Sequence, residues 1–312
     1  IQAAENLTIV IGFNPGAAFD VEEEEMKIVT DSGADISFEE CRALGITMIP
    51  LKVEVNGKSY QSGVDIDPDE FYDLMDASPT MPITSTPSVG EFVEVYKTLA
   101  EEDPEILSIH LSSGLSGTYN AAVQAAALVP EAKVTLIDTL TLSAGTAWQV
   151  RAAAAMMHAG QKLEEVVKTL HQIQEASFTF FTLPDLKYLI AGGRISHLKG
   201  LLASLLGIKP VIEVSKEDGK YYDKAKKRSF RNAIDSITDL VKKIHPAGTE
   251  IVAQIVSAAN PDGAEQLKAS LEKVFKCHWK PTVTLGTALG AHTGRGLVGV
   301  ICAAKASLPA IS

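Results

Sequence analysis

The 312-residue chain is long enough for roughly two domains, and its 46% hydrophobic and 21% charged residues are ordinary for a globular protein. This composition excludes a disordered chain, a collagen-like fibre and a coiled coil. No apolar run approaches the roughly 18 residues that a transmembrane helix requires. The formal net charge of −11 argues against a broad nucleic-acid-binding face. We therefore expect no nucleic acid partner and no stable membrane insertion.

Two features bear on where the protein resides. Residues 1–25 contain acidic residues but no Lys or Arg, and they lack the basic region and the cleavage site of a secretory signal. We expect this stretch to be an acidic leader outside the fold. The cysteines, Cys41, Cys277 and Cys302, form neither a disulfide framework nor a CxxC pair. Their usage predicts a reducing, cytoplasmic compartment.

Short apolar runs alternate with helical segments in the first half of the chain. We predict strands at 27–30, 46–55, 106–111 and 134–138. Capping boxes predict helices that begin after Ser37, Asp67 and Ser88. Two further helices are expected to end near residues 128 and 158, the second of them capped by Ser143. Such an alternation is typical of a mainly parallel sheet covered by helices on both faces.

A second alternation begins near residue 178. We predict strands at 178–183, 208–214, 250–256, 282–285 and 298–302. Helices are predicted at 231–244 and 262–275, and residues 198–206 form an apolar, helix-like segment. The fold class is therefore α/β, with two α/β domains of mainly parallel sheets. We place the N-terminal domain at 26–175 and the C-terminal domain at 176–312.

A loop rich in serine and glycine follows the predicted strand 106–111. It includes Ser112, Ser113 and Ser116 and leads into a helix. Open α/β sheets bind ligands at this edge, and a helix N-terminus favours an anion. An N-capped turn without a ligand explains the same pattern. Both interpretations stay open on this motif alone.

Two other hydroxyl-bearing loops are expected at the same edge. The loop 82–88 includes Thr84, Ser85 and Thr86, and the sequence Thr30-Asp31-Ser32-Gly33 follows the first strand. Asp31 is predicted to form a structural Asx turn. Three such loops without an acid–base pair nearby in sequence favour holding an anion over cleaving a substrate.

Three features late in the chain have both a functional and a structural interpretation. His292 lies among small residues and could approach a carboxylate, or it could be a turn histidine in solvent. Arg194 follows two glycines and could pair with an anion or lie in solvent. The basic cluster 224–231, which includes Lys226 and Arg228, is either a solvated face or a docking patch for an acidic partner.

Several common functional motifs are missing or out of context. The GxGxxG match at 294–299 has neither a following helix nor an acidic residue about 20 positions later, and no P-loop occurs. The GxSxG elbow is absent, which disfavours a serine hydrolase that uses Ser113. The histidines lack paired metal-ligand spacing. We expect no metal and no cofactor.

The combination of these motifs resembles the DegV family, from about Met26 to the C-terminus. The stretches that carry the resemblance are TDSGAD at 30–35, TSTPS at 84–88, LSSGLSGTYN at 111–120, DTL at 138–140, LKYLIAGGRIS at 186–196 and AHTGRGLVG at 291–299.

The resemblance implies two α/β domains with a ligand cleft between them. It implies a long-chain fatty acid whose carboxylate is held by Thr84 and Ser113, with Ser85, Ser112 and His292 assisting. Arg194, Lys226 and Arg228 become candidate contacts of the headgroup or of a partner. Some family members resemble the acyl-carrying subunit of a bacterial fatty acid kinase, which presents the carboxylate to a separate ATP-dependent protein.

The sequence therefore predicts a cytoplasmic bacterial lipid-binding protein that is not itself an enzyme. One alternative is a small-molecule kinase subunit or hydrolase that acts at the Ser113 loop. Another is a DNA-binding regulator that uses the cluster 224–231. Apolar segments at 178–181 and 198–206 could line a channel for the acyl chain, although ordinary core packing explains them as well.

Overall fold

The computed structural model describes residues 26–195 and 207–310. The expected leader, 1–25, and the apolar segment 198–206 lie outside the described residues. The elements up to residue 176 are, in chain order, β1 (Lys27–Asp31), α1 (Phe38–Ala43), β2 (Ile46–Ile49), β3 (Lys52–Val55), β4 (Lys58–Gln61), α2 (Pro68–Ala77), β5 (Ile83–Ser85), α3 (Val89–Ala100), β6 (Glu105–His110), α4 (Thr118–Ala126), β7 (Lys133–Asp138), α5 (Ala144–His158) and α6 (Leu163–Ala176).

The remaining elements include a long hairpin, two longer helices and one short helix near the end. In chain order they are β8 (Phe178–Thr182), α7 (Lys187–Ala191), β9 (Lys209–Val214), β10 (Tyr221–Lys227), α8 (Phe230–Ile244), β11 (Glu250–Ser257), α9 (Pro261–Glu272), β12 (Lys276–Trp279), β13 (Val283–Thr284), α10 (Thr287–Thr293) and β14 (Val298–Ala304).

The mixed α/β fold that the sequence predicts is confirmed, with a difference in strand direction. Strands β2-β1-β6-β7 form a fully parallel sheet. The larger sheet, β10-β9-β8-β14-β11-β12 with β13 beside β11, is mixed, and only the pairings of β12 and β13 with β11 are parallel. Hydrophobic patterning places a strand but carries no information on its direction, so "mainly parallel" describes the first sheet only.

A third sheet of three antiparallel strands, β4-β3-β5, accompanies the two larger sheets. The predicted strand 46–55 divides into β2 and β3, which belong to different sheets. The break falls at Pro50, which lacks the N–H that a continuous ladder would use. The strand β5 pairs with β3 and places Thr84 opposite Val53, so the predicted loop 82–88 is partly a strand.

The largest core cluster contains side chains from both halves of the chain. Leu111 follows β6, Phe181 lies on β8, Tyr221 opens β10 and Leu285 precedes α10, and all four are buried in this cluster. The ends of the two larger sheets therefore share packing near residues 111–116 and α10. Within 26–195 and 207–310, no helix combines the length and apolarity needed to cross a membrane.

Candidate functional site

A polar cavity of about 50 Å³ lies where the first half of the chain meets α10. Its walls combine hydroxyl, imidazole and guanidinium groups with aliphatic and aromatic side chains. The polar members are Thr84, Ser85, Thr86, Ser116, Arg194 and His292. The other members are Leu51, Leu111, Leu115, Tyr221, Ala288 and Leu289.

Two residues that are 208 positions apart in sequence meet in this cavity. Thr84 Oγ1 and His292 Nε2 are 2.7 Å apart and share a hydrogen bond. Burial, followed by the nearby charge of Arg194, lowers the pKa of His292 to about 4. The imidazole is therefore neutral at physiological pH. Its Nδ1 is buried and has no hydrogen-bond partner among the described residues.

The His292 ring is held against the backbone of Gly192, the residue that follows α7. A Cβ added at Gly192 would lie 2.1 Å from His292 Nδ1. Only glycine gives the ring this space, because a contact that short forces one of the two groups to move.

Gly192→Ala is expected to lower the free energy of unfolding by about 1–3 kcal/mol, as an overpacked site does. Chemical denaturation of both proteins measures the difference. Gly90→Ala is the matched control, since its nearest contact, Ser88 Oγ, would be 3.9 Å away and a helical alanine is favoured over glycine. Equal stability of Gly192→Ala and wild type would contradict this account of the His292 position.

Arg194 is a partly buried cation without a carboxylate partner among the described residues. Its Nε donates to the Leu115 carbonyl at 3.2 Å, and its Nη1 donates to the Gly192 carbonyl at 2.6 Å. Burial lowers its pKa from the ordinary arginine value. The two carbonyls orient the guanidinium toward the cavity wall but do not neutralise its charge. This position fits the predicted contact with an anion.

The serine loop contributes a different hydroxyl from those predicted. Ser112 and Ser113 do not line the cavity, whereas Ser116 does. Ser112 Oγ donates to the Gly219 carbonyl at 2.9 Å, and Ser113 N–H donates to Asp138 Oδ1 at 3.1 Å. Ser116 is buried, and its hydroxyl bonds that of Thr118 at 2.9 Å.

The same loop bears on the alternative that Ser113 acts as a nucleophile. No hydrogen bond joins the Ser113 hydroxyl to a histidine within the described ranges. His110, the nearest histidine in sequence, is fully buried and bonds Asp31 and Ser108. The structure therefore offers no observation that favours this alternative.

The basic cluster lies away from the cavity, on and beyond β10. Lys226 is exposed and pairs with Asp223 at 3.2 Å, and Lys224 pairs with Glu213. Arg228 is exposed after the end of β10. Neither Lys226 nor Arg228 lines the cavity, so the structure does not bring them to the site as headgroup contacts. Acidic neighbours offset part of the cluster's charge.

A second, almost wholly apolar cavity of about 30 Å³ lies beside the first. Three of the four residues of the predicted channel segment 178–181, Thr179, Phe180 and Phe181 of β8, contribute to its walls. Other members are Leu142, Ser143, Val256, Leu285, Thr293, Leu297, Gly299, Val300 and Ile301. Tyr221 lines both cavities.

The sequence singles out Thr84, Ser85, His292 and Arg194, all of which line the cavity, but not Ser116 or Tyr221, which line it as well. Ser116 carried a usable signal, because it lies two residues before α4 begins at Thr118. Tyr221 carried none, since a tyrosine after a hairpin turn is unremarkable until the tertiary packing is known. In the described part of the chain, no group of three or more His, Cys, Asp or Glu side chains could hold a metal ion.

This fold and this cavity define a class of α/β protein in which a polar pocket lies at the junction of a parallel sheet and a mixed sheet. The pocket walls come from hydroxyl loops of the first half and from helix α10 of the second. The chain belongs to the DegV family. The family model, described as "Uncharacterised protein, DegV family", matches residues 25–305.

Individual relatives extend over nearly the same length. A DegV domain-containing protein of Staphylococcus aureus (strain COL) is 36% identical over 281 residues, 89% of this chain and 98% of the relative. A structure described as "Fatty Acid Binding of a DegV family Protein from Thermus thermophilus" has a TM-score of 0.81 at 28% identity and covers 90% of this chain and 99% of that one. A stearic acid-binding protein from Eubacterium ventriosum has a TM-score of 0.78 at 26% identity, with 90% and 98% covered.

Proposed function

We propose that this protein binds one long-chain fatty acid, with the carboxylate in the polar cavity beside Arg194. The observation that carries the proposal is a cavity-lining guanidinium that bonds only carbonyl groups within the described residues. A partly buried cation of this kind favours an anionic ligand, because charge-assisted hydrogen bonds are stronger than neutral ones. The descriptions of the Thermus and Eubacterium proteins support a fatty acid as that anion.

The hydroxyl groups and His292 complete the proposed carboxylate site. Thr84 and Ser85 lie on β5, and Ser116 faces the same cavity from the serine loop. Neutral His292 can donate its Nε2–H to Thr84 Oγ1, which leaves the Thr84 hydroxyl proton for the carboxylate and adds no second positive charge. Ser116 takes the role that the sequence assigned to Ser113. Ser112 supports the site indirectly by holding the turn at Gly219.

The acyl chain supplies the apolar part of the binding energy. About 15 methylenes at roughly 0.8 kcal/mol each give a gross gain near 12 kcal/mol. Ordering the ligand and the protein costs a substantial part of it. We place the chain along the apolar side chains between the polar cavity and the second cavity. Residues 178–181 lie on this path.

Presentation of the bound acid to a separate ATP-dependent kinase subunit is a second part of the proposal. The chain has no GxxxxGK[ST] motif, so phosphorylation would need a nucleotide site on another protein. Hydroxylamine trapping tests this step. The loaded protein should yield an acyl hydroxamate only when ATP and a fatty acid kinase subunit are both present. Product with ATP alone would contradict the division of labour.

We also propose the cytoplasm as its location and 26–175 and 176–312 as its two domains. The described cysteines are free, with Cys41 and Cys302 buried, which fits a reducing compartment.

Separate expression of residues 26–175 and 176–312 tests the proposed domain boundary. Each should give cooperative unfolding if it is a domain.

Removing the Thr84 hydroxyl is expected to weaken fatty acid binding. In Thr84→Val, the carboxylate loses a donor, and hydrogen bonds to charged groups contribute about 1.5–3 kcal/mol, which corresponds to a roughly 10- to 150-fold loss of affinity. Calorimetry of delipidated protein with palmitate measures the change. Thr98→Val is the control, because Thr98 bonds only the Glu94 carbonyl on the exposed face of α3.

The possible outcomes distinguish a wrong assignment of Thr84 from a wrong proposed function. If delipidated wild type takes up no fatty acid at micromolar concentration, the proposed function is wrong. If wild type binds and Thr84→Val binds equally well, the carboxylate is held elsewhere. Loss in both variants would indicate a general effect of threonine replacement on folding.

A further inference from the structure

Tyr221 contributes to the walls of both cavities. Among the described residues it is the one member common to both linings. It lines the polar cavity together with Arg194 and His292, and the apolar cavity together with Phe181 and Leu285. The residue is 5% exposed, so its ring is buried and does not point into solvent.

The backbone of Tyr221 is firmly held. The residue opens β10 and pairs with Val214 of β9. The preceding turn is closed by the hydrogen bond from Gly219 N–H to the Ser215 carbonyl at 2.8 Å. Ser112 Oγ ties the same turn to the serine loop through the Gly219 carbonyl. The strand and the turn therefore fix the position of the Tyr221 Cα.

The ring itself is held by packing alone. Tyr221 meets Phe181 edge-on, with ring centroids 5.1 Å apart and an interplanar angle of 70°. Within the described ranges, no hydrogen bond anchors its hydroxyl. Rotating the ring therefore costs packing with Phe181 but breaks no hydrogen bond to a described residue. A side chain of this kind can change rotamer without disturbing the strand.

The small size of the two cavities makes rotation of the Tyr221 ring relevant to ligand binding. They measure about 50 and 30 Å³, whereas sites for drug-sized ligands measure roughly 300–1,000 Å³. Neither cavity alone holds a long acyl chain. Because Tyr221 lines both cavities, its ring lies at the boundary that an acyl chain bound at Arg194 crosses to reach the apolar cavity.

We infer that Tyr221 is the specificity-determining residue that separates the headgroup cavity from the acyl cavity, and that its ring sets how much of an acyl chain the protein accommodates. This inference rests on the proposed function. The ring must turn aside when a long chain enters, and short chains end before it. The discrimination resides in the bulk of the ring, not in the hydroxyl.

Competitive loading with saturated fatty acids of twelve to twenty carbons tests the inference. Delipidated wild type, Tyr221→Ala and Tyr221→Phe are mixed with equal amounts of the acids, and native mass spectrometry identifies what is bound. Tyr221→Ala is expected to favour longer acids. Each additional buried methylene raises the association constant about fourfold, so two of them raise the preference for long over short acids by more than tenfold. Tyr221→Phe should match wild type within about twofold.

Leu128→Ala is the control, because Leu128 is 62% exposed and lines neither cavity. It should leave the bound acids unchanged. Leu297→Phe, which fills the apolar cavity, should shift the preference to shorter acids. If Tyr221→Ala does not fold, Tyr221→Leu retains part of the core packing and still removes the ring.

Three results would overturn the inference. In the first, folded Tyr221→Ala or Tyr221→Leu binds the same acids in the same proportions as wild type. In the second, Tyr221→Phe changes selectivity as much as Tyr221→Ala, which would make the hydroxyl the active group. In the third, wild type takes up no acid, and the proposed function fails as well. The first two leave the proposed function standing.

Discussion

At pH 8, Asp35→Asn is expected to be more stable than wild type by about 2–4 kcal/mol, and the advantage should shrink toward pH 5. The reason is the environment of the Asp35 carboxyl. Burial raises its pKa from 3.8 to about 7, and hydrogen bonds from Ser143 and Gly286 lower it less than burial raises it. At pH 8 the folded protein therefore carries the Asp35 charge at a free-energy cost that the unfolded chain does not have.

Asp35 joins the two halves of the chain. Its Oδ2 accepts from Ser143 Oγ at 2.5 Å, at the start of α5, and its Oδ1 accepts from Gly286 N–H at 3.0 Å, just before α10. No ion pair to Asp35 occurs among the described residues, and Asp31 raises its pKa further. An asparagine can make the same two contacts without a buried charge. The residue is partly exposed, so we place the effect below the full value of a three-unit shift.

The sign of the pH dependence follows from proton binding. Between about pH 4 and pH 7 the folded protein holds a proton on Asp35 that the unfolded chain has released. This group therefore makes wild type lose stability as pH rises through that window, and the contribution levels off above it. Asp35→Asn lacks this contribution. The difference between the two proteins should grow from pH 5 to pH 8.

Urea unfolding at each pH measures this difference. Asp239→Asn, on the exposed face of α8, is the matched control and should follow wild type throughout. Parallel pH profiles for Asp35→Asn and wild type would show that the Asp35 carboxyl is ionised without penalty. Because α10 carries His292, the same variants also report whether this contact affects fatty acid binding.

Helix starts could be predicted because their signals are local. The capping box at Ser88 and Glu91 is present in both directions, and Ser37 and Asp67 also accept backbone N–H bonds at their helices. The predicted cap at Ser143 is wrong in its chemistry. Ser143 has a φ of 52° and caps no helical N–H, and its hydroxyl bonds Asp35. That partner is 108 residues away, so no local pattern could reveal it.

The site was partly predictable for the same reason. The motifs that carry the DegV resemblance pointed to Thr84, His292 and Arg194, which the structure brings to one cavity. They could not identify which serine of the loop faces the cavity. Ser112 and Ser116 differ only in what packs beside them, and Gly219 of the other half of the chain engages Ser112. Tyr221 became visible only with both cavities in place.

A chain of buried hydrogen bonds connects the ends of β1 and β6. His110 Nδ1 donates to Asp31 Oδ2 at 2.8 Å, Ser108 donates to His110 Nε2 at 2.7 Å, and Tyr96 donates to Ser108 at 2.8 Å. These directions satisfy every group when the imidazole proton is on Nδ1. Asp31 also accepts from Gly33 N–H, which is the Asx turn that the sequence predicted, and from Leu111 N–H.

Asp31→Asn is expected to lower the free energy of unfolding by about 2–4 kcal/mol, because one buried donor loses its partner and the other hydrogen bonds lose a charged acceptor. An amide replaces two accepting oxygens by one, so a donor from His110, Leu111 or Gly33 loses its partner in a fully buried site. Denaturant unfolding measures the loss. Glu105→Gln is the control on β6, where the pair with Lys133 is exposed and long at 3.9 Å.

The control should change stability by no more than about 0.5 kcal/mol, because exposed ion pairs contribute little. A loss below about 1 kcal/mol in Asp31→Asn would contradict the assigned network, since one buried, unpaired donor alone costs more than that.

The hydrogen bond from Leu111 N–H to Asp31 also connects this network to the candidate site. Leu111 begins the loop that carries Ser116, so a loosened Asp31 contact should also weaken fatty acid binding. A variant that loses stability but keeps full affinity would limit the network to a role in folding.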